Sequence, residues 1–343
     1  EEMSDSESEY SDGDSLCGED VEVDAGDEAI LRAMMPQDAQ VSRNLADIIM
    51  EKIAEKEAMQ AMGGGADPST LGPDSNNPLR GLDPKIIRVY RGVGDVMKRF
   101  RSGKLPKAIK IVPSLRNWEQ ILYITNPDKW SPQAMYRATI LFASNLNAKM
   151  AQRFYNLILL PAIRADIEET KKLNYHYYQA LKRAMYKPAA FFKGLVLPLV
   201  EEGTCTLREA QIIGSAISKV SVPLIHSSAA LLKLAEMEYS GAASLFMTVL
   251  INKRYALPLV VLDGVVQHFA RFISDDRELP VLWYQCVLAF VQRYKMSLGE
   301  EHVELLREVI RKHRHYQITP EIRRELDFAV EHASRGGDVS MGD

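Results

Sequence analysis

The chain has 343 residues, enough for one large domain with a tail and for a substantial buried core. Its 46% hydrophobic and 26% charged content is that of an ordinary globular protein, and no stretch approaches the roughly 18 uninterrupted apolar residues of a membrane-spanning helix. The net charge of -4 averages two unlike regions: residues 1–28 hold thirteen acids and no Lys or Arg, leaving 42 basic against 33 acidic residues, a net of +9, in the remainder. An acidic tail on a basic body points to an interaction tail and a surface that meets a polyanion; simple solubilisation is the competing explanation.

Cys17, Cys205 and Cys286 are far apart and lack CxxC spacing, so the sequence supports neither a disulfide framework nor a zinc site and implies a reducing compartment. The first residues lack the basic and apolar regions of a secretory signal.

In chain order, residues 1–36 read as a disordered acidic tail, because ESEYSDGDS and its neighbours hold too few apolar groups to offset ordering entropy. Ser4, Ser6 and Ser11 each precede an acid by three residues, the pattern acidophilic kinases favour, which makes them candidate phosphorylation sites; an unmodified tail is the alternative. Residues 37–62 predict an amphipathic helix, with Val41, Leu45, Ile48, Ile49 and Ile53 on one face. The Gly- and Pro-rich run at 63–82 tethers that helix flexibly, so its apolar face docks either on its own domain, the favoured option, or on a partner.

From Asp83 the signals are helical as far as residue 332, with 333–343 expected to be a disordered tail. Asp83-Pro84, Ser131-Pro132 and Thr319-Pro320 are helix starts, and Thr206 with Glu209 makes a capping box. No period-two alternation argues for a strand. Pro188, Pro223 and Pro258 recur every 35 residues, each opening an apolar helix-length segment, with weaker breaks midway at Gly203, Gly241 and Asp275-Asp276. The expected fold is therefore all-α, an α-solenoid of antiparallel helix pairs in a HEAT/TPR-like superhelix. The repeat is one of layout rather than residue identity, so a compact irregular helical domain stays open.

Motifs for chemistry are missing. A P-loop would need Gly where Lys98 stands, Gly92-Val-Gly94 lacks its third Gly and a preceding strand, and no G-x-S-x-G elbow occurs. His226-Ser227 are helix neighbours pointing in different directions. His313 and His315 lie among cations that repel metal, so RKHRH reads as basic surface. Cys205 and Cys286 have no evident base and read as buried thiols. The expectation is a non-enzymatic protein with no metal and no cofactor.

The basic body is more informative. Lys98, Arg99, Arg101, Lys104, Lys107, Lys110 and Arg116 form a run without a single acid, interleaved with Gly103, Pro106 and Pro113. The run reads as a loop able to drape along phosphates, with a solvated loop as the competing reading. Trp118 follows as a base-stacking ring or, more in keeping with its size, a buried anchor. Lys171, Lys172, Lys253, Arg254, Arg311, Lys312 and Arg314 are further candidate RNA contacts.

The segments SGKLPKAIKIVPSLRNWEQILYIT (102–125), FASNLNAKMAQRFYNLILLPAIRADI (142–167), GTCTLREAQIIGS (203–215), HSSAALLKLAEMEYSGA (226–242), ELPVLWYQCVLAFVQRYK (278–295) and TPEIRREL (319–326) resemble the bystin family of ribosome-biogenesis factors. The resemblance runs in order from about Asp83 and fades before it. It implies a factor of the nucleus and nucleolus that shuttles to the cytoplasm with pre-40S particles and serves 18S rRNA maturation and small-subunit export. The partners it implies are pre-18S rRNA, ribosomal proteins of the small-subunit head and beak, and other pre-40S assembly factors, with no membrane, no homo-oligomer and no catalytic residues. In animals the family is also linked to cell-adhesion complexes with cytoskeletal partners, which supplies a second reading as a protein-only adaptor.

Overall fold

The computed structural model describes residues 84–337, with side chains as far as Glu331. The expectations for residues 1–36, 37–62 and 63–82, with Ser4, Ser6 and Ser11, lie outside the described residues, as does 338–343. Every regular element among the described residues is helical. The chain starts with α1 (Pro84–Arg99), α2 (Lys107–Ile111), a 3-10 turn (Val112–Ser114) and α3 (Trp118–Ile124). Next come α4 (Pro132–Asn145), α5 (Ala148–Phe154), a π turn (Tyr155–Leu159), α6 (Leu160–Thr170) and α7 (Tyr175–Ala184). Then follow α8 (Pro188–Phe191), a second π turn (Phe192–Val196), α9 (Leu197–Glu201), α10 (Leu207–Lys219) and α11 (Leu224–Glu236). The chain finishes with α12 (Gly241–Asn252), α13 (Leu259–Ala270), α14 (Val281–Tyr294), α15 (Glu300–Lys312) and α16 (Ile318–Gly337).

Helix starts follow local chemistry. The Ser131 hydroxyl accepts from Ala134 N ahead of Pro132, Asn147 and Asn174 cap α5 and α7, and Ser240 caps α12. Thr206 and Glu209 satisfy each other's backbone N–H groups at α10 as the capping box requires. Pro188 is the first residue of α8, while Pro223 and Pro258 sit at the caps of α11 and α13. Gly203 has φ +66 in the turn before α10, a conformation that favours glycine. Two expected boundaries move. The last helix begins at Ile318, ahead of Thr319, whose hydroxyl accepts from His315 N at 2.9 Å. It runs to Gly337, so 333–337 are helical where a tail was expected.

Contacts between helices run in two rows. In one row α4 lies on α7, α7 on α10, α10 on α12, α12 on α14 and α14 on α16; in the other, α9 lies on α11, α11 on α13 and α13 on α15. The two π turns pack against each other. Each precedes a Leu-Pro pair, Leu160-Pro161 and Leu197-Pro198. Proline cannot donate to the carbonyl four residues back and its ring clashes there, so the widened π turn lets the helix continue through it. Gly194 in the second π turn allows a close backbone approach: a Cβ there would lie 2.6 Å from the Gln152 carbonyl oxygen of α5.

Hydrogen bonds latch successive pairs. Lys187 Nζ donates to Leu146 O at the end of α4, and Lys253 Nζ donates to Val220 O at 2.6 Å and Ser218 O at 3.4 Å at the end of α10. Arg293 Nε reaches Asn252 Oδ1 at 3.4 Å at the end of α12. On the opposite edge, His268 Nδ1 donates to Ala235 O at 2.9 Å and Arg271 to Ala235, Glu236 and Met237 carbonyls. One pair further, His313 Nε2 donates to Phe272 O at 2.8 Å and Lys312 Nζ to Ile273 O at 2.9 Å. In most of these latches a basic or histidine side chain serves the carbonyls that a preceding helix end leaves unpaired, where the helix dipole also favours positive charge.

Candidate nucleic-acid interface

The seven-cation run is not the open loop that its glycine and prolines suggest. Lys98 and Arg99 end α1, Arg101 and Lys104 flank Gly103 (φ +98), and Lys107 and Lys110 stand on α2. Arg116 follows the 3-10 turn. Buried Met97, Phe100, Ile109 and Val112 pin the segment from beneath. Apolar spacing within the run was the available signal: these residues interrupt the cations at intervals that turn one face inward.

Ser131 completes the support. Its N–H donates to Met97 O at 3.2 Å and its hydroxyl to Phe100 O, while the same oxygen accepts from Ala134 N at 3.2 Å. One residue thus caps α4 and ties the base of the cationic loop to it. Tyr90 OH donates to Ala108 O at 3.4 Å, joining α1 to α2. Trp118 is buried and its Phe142 contact, 6.4 Å between ring centroids, makes it an anchor rather than a stacking platform. Glu119, the first acid after the run, is held by Arg153 in a two-bond fork whose second bond is 3.0 Å.

All seven cations are exposed, and none takes part in an ion pair among the described residues. Arg88 and Arg91 extend the positive surface along the Lys98 face of α1, with Asp95 between Arg91 and Lys98. Sequence reading missed both, although the spacing 88, 91, 98 is helical.

The remaining candidates do not join this patch. Lys171 takes φ +58 at the end of α6 and, with Lys172, stands beside Asp166, Glu168 and Glu169. Lys253 is half-buried and occupied by the α10 carbonyls, and desolvation lowers its pKa from the ordinary lysine value. Lys312 pairs with Asp276 as well as Ile273 O. RKHRH is therefore not a free basic surface: His313 is buried, His315 Nδ1 accepts from Ile318 N at 3.2 Å, and only Arg311 and Arg314 are exposed among its cations apart from engaged Lys312. Arg254 is exposed, on the edge opposite Lys312.

Burial pushes the Cys205 and Cys286 thiols well above their ordinary pKa, which keeps them protonated.

A family model described as Bystin matches residues 39–335. The chain belongs to the bystin family. The match begins well before Asp83, so the family likeness extends into the region where motif comparison faded. Bystin of Monosiga brevicollis is 58% identical over 93% of this chain and 74% of its own length. Bystin of Homo sapiens is 54% identical over 91% of this chain and 70% of its own, and Bystin of Arabidopsis thaliana 46% over 89% and 66%. The matched span covers the described helical body except the last two residues of α16.

Proposed function

We propose that this bystin-family protein is a non-catalytic assembly factor of the small ribosomal subunit, which holds precursor 18S rRNA and assembly partners in a fixed relation. We read its two rows of helices as an α-solenoid, because each pair buries its face on the next and the latches recur along the stack. The observation that carries the RNA reading is the rigidly mounted, acid-free run from Lys98 to Arg116. Exposed cations without internal partners release counterions when they meet phosphates, and their fixed backbone lowers the ordering cost of binding. The working location is the nucleus and nucleolus, with passage to the cytoplasm on pre-40S particles.

The test is binding of precursor 18S rRNA fragments at several salt concentrations. If all seven cations reach phosphates, the slope of log affinity against log salt is about -5 to -6. The combined variant Lys104→Glu, Lys107→Glu, Lys110→Glu weakens binding to all fragments and flattens that slope. Unchanged binding by the variant removes this segment from the interface, and an RNA-independent partner list after nuclease treatment favours the protein-only adaptor instead.

A further inference from the structure

The two edges of the stack carry opposite chemistry. On one edge the chain turns at Ser144–Lys149, Lys182–Pro188, Ser218–His226, Asn252–Val260 and Gln292–Gly299, which hold nine Lys or Arg; Glu300 and Glu301, which begin α15, and Glu325, paired with Lys295 at 2.6 Å, stand at the last of them. The Lys187, Lys253 and Arg293 latches place these turns side by side, as does Tyr255 OH accepting from Val222 N at 3.3 Å. The other edge has Asp166, Glu168, Glu169, Glu201, Glu202, Glu236, Glu238, Asp275, Asp276 and Glu278 in its turns.

The basic edge also exposes large apolar side chains at equivalent places in successive pairs. Tyr186 is 72% exposed, Ile225 77%, Leu259 and Val260 67% each, and Met296 63%. Between them stand exposed Arg183, Lys219, Arg254 and Arg293. A cavity of about 360 Å³ opens there between Arg254, Tyr255, Gln292, Arg293, Tyr294 and Ser297. An aliphatic row is wasted on a phosphate backbone and costly to leave in water; with cations at its side it fits a peptide that alternates acidic and apolar residues.

The chain itself contains such a peptide. Residues 19–35, EDVEVDAGDEAILRAMM, set Val21, Val23, Ile30, Leu31, Met34 and Met35 among six acids. The stretch from Met35 to Pro84, at up to about 3.3 Å per residue, reaches any part of an edge whose turns are roughly 10 Å apart. Covalent linkage raises the local concentration of the segment above that of any free peptide of like chemistry. We infer that residues 19–35 dock in cis along this basic edge, their apolar side chains on Ile225, Leu259 and Val260 and their carboxylates on Arg254 and Arg293. This contact is separate from the RNA reading and uses none of the Lys98 to Arg116 cations.

The native cysteines make the test direct, since Cys205 and Cys286 are buried and Cys17 adjoins the segment. The 343-residue chain carrying Ser221→Cys is spin-labelled at Cys17 and residue 221, and the interspin distance distribution is recorded at low salt. A narrow distribution is expected, which broadens in Leu259→Asp/Arg254→Glu protein and also in Asp24→Asn/Asp27→Asn/Glu28→Gln protein. A melting curve shows that the first variant is folded, and the second leaves the body untouched. A broad distribution in the parent overturns the inference, as does a narrow one that neither variant changes. A broad parent distribution together with saturable binding of an acidic peptide that the Leu259→Asp/Arg254→Glu variant abolishes assigns the edge to a partner in trans and equally overturns it.

Discussion

The Lys253 ammonium donates to the Val220 carbonyl at 2.6 Å across 33 residues of sequence, closing the end of α10 from the end of α12. The lysine is thereby committed to holding two pairs together. Lys253→Met is expected to lower stability by about 1–3 kcal/mol, since a charged hydrogen bond is lost and a carbonyl is left short of a partner. The measurement is denaturant unfolding, with RNA affinity measured alongside and expected unchanged.

Gly194 and Gly92 make a matched pair. Gly194→Ala drives a Cβ to 2.6 Å from the Gln152 carbonyl oxygen and should cost about 1–3 kcal/mol or more, while Gly92, with nothing within 4 Å on α1, gains about 0.5–1 kcal/mol on replacement by Ala. Opposite shifts of Tm in the two variants check both.

Arg164 donates to Glu209 at 2.9 Å, Glu202 at 3.1 Å, the Thr204 hydroxyl at 2.9 Å and its carbonyl at 3.2 Å, joining α6 to the turn that starts α10. Glu209 is buried and cannot regain full hydration when its partner goes. Arg164→Ala is expected to cost about 3–5 kcal/mol, more than Arg324→Ala, whose Glu321 partner is a surface neighbour one turn away. Chemical denaturation of both variants gives the comparison.

His268 is buried among Phe269, Phe272 and the α11 carbonyl end, and desolvation lowers its pKa from 6.5 to about 4. The unfolded chain therefore binds a proton that the folded one refuses. Stability from this group is complete above about pH 6.5 and is lost as pH falls towards 4, by roughly 3 kcal/mol in the limit. His268→Gln protein should show a shallower fall of Tm across that interval; an equal fall would place the acid sensitivity elsewhere.

The interface follows the same division between local and distant partners. Reversal of Lys171 and Lys172, which stand among carboxylates, should leave RNA affinity within twofold of the parent, in contrast to reversal at Lys104, Lys107 and Lys110. Filter binding at fixed salt separates the two.

What the sequence determined by itself is what neighbouring residues decide together. Ser131-Pro132, the Thr206–Glu209 box, and the breaks at Pro188, Pro223 and Pro258 fix helix starts because caps and proline act within one turn. The absence of acids from Lys98 to Arg116 and the family likeness are likewise written in the chain. Tertiary structure decided which cations remain available. Lys253, Lys312 and His313 look as free in sequence as Lys104 does, yet each meets a helix end 33 to 41 residues away, because packing brings those helix ends beside them. The same packing gathers five basic turns onto one edge, and Pro161 and Pro198 continue inside helices that local rules would end. A side chain's role depends on the partner that packing delivers, and that partner is set by the fold's register rather than by the residues beside it.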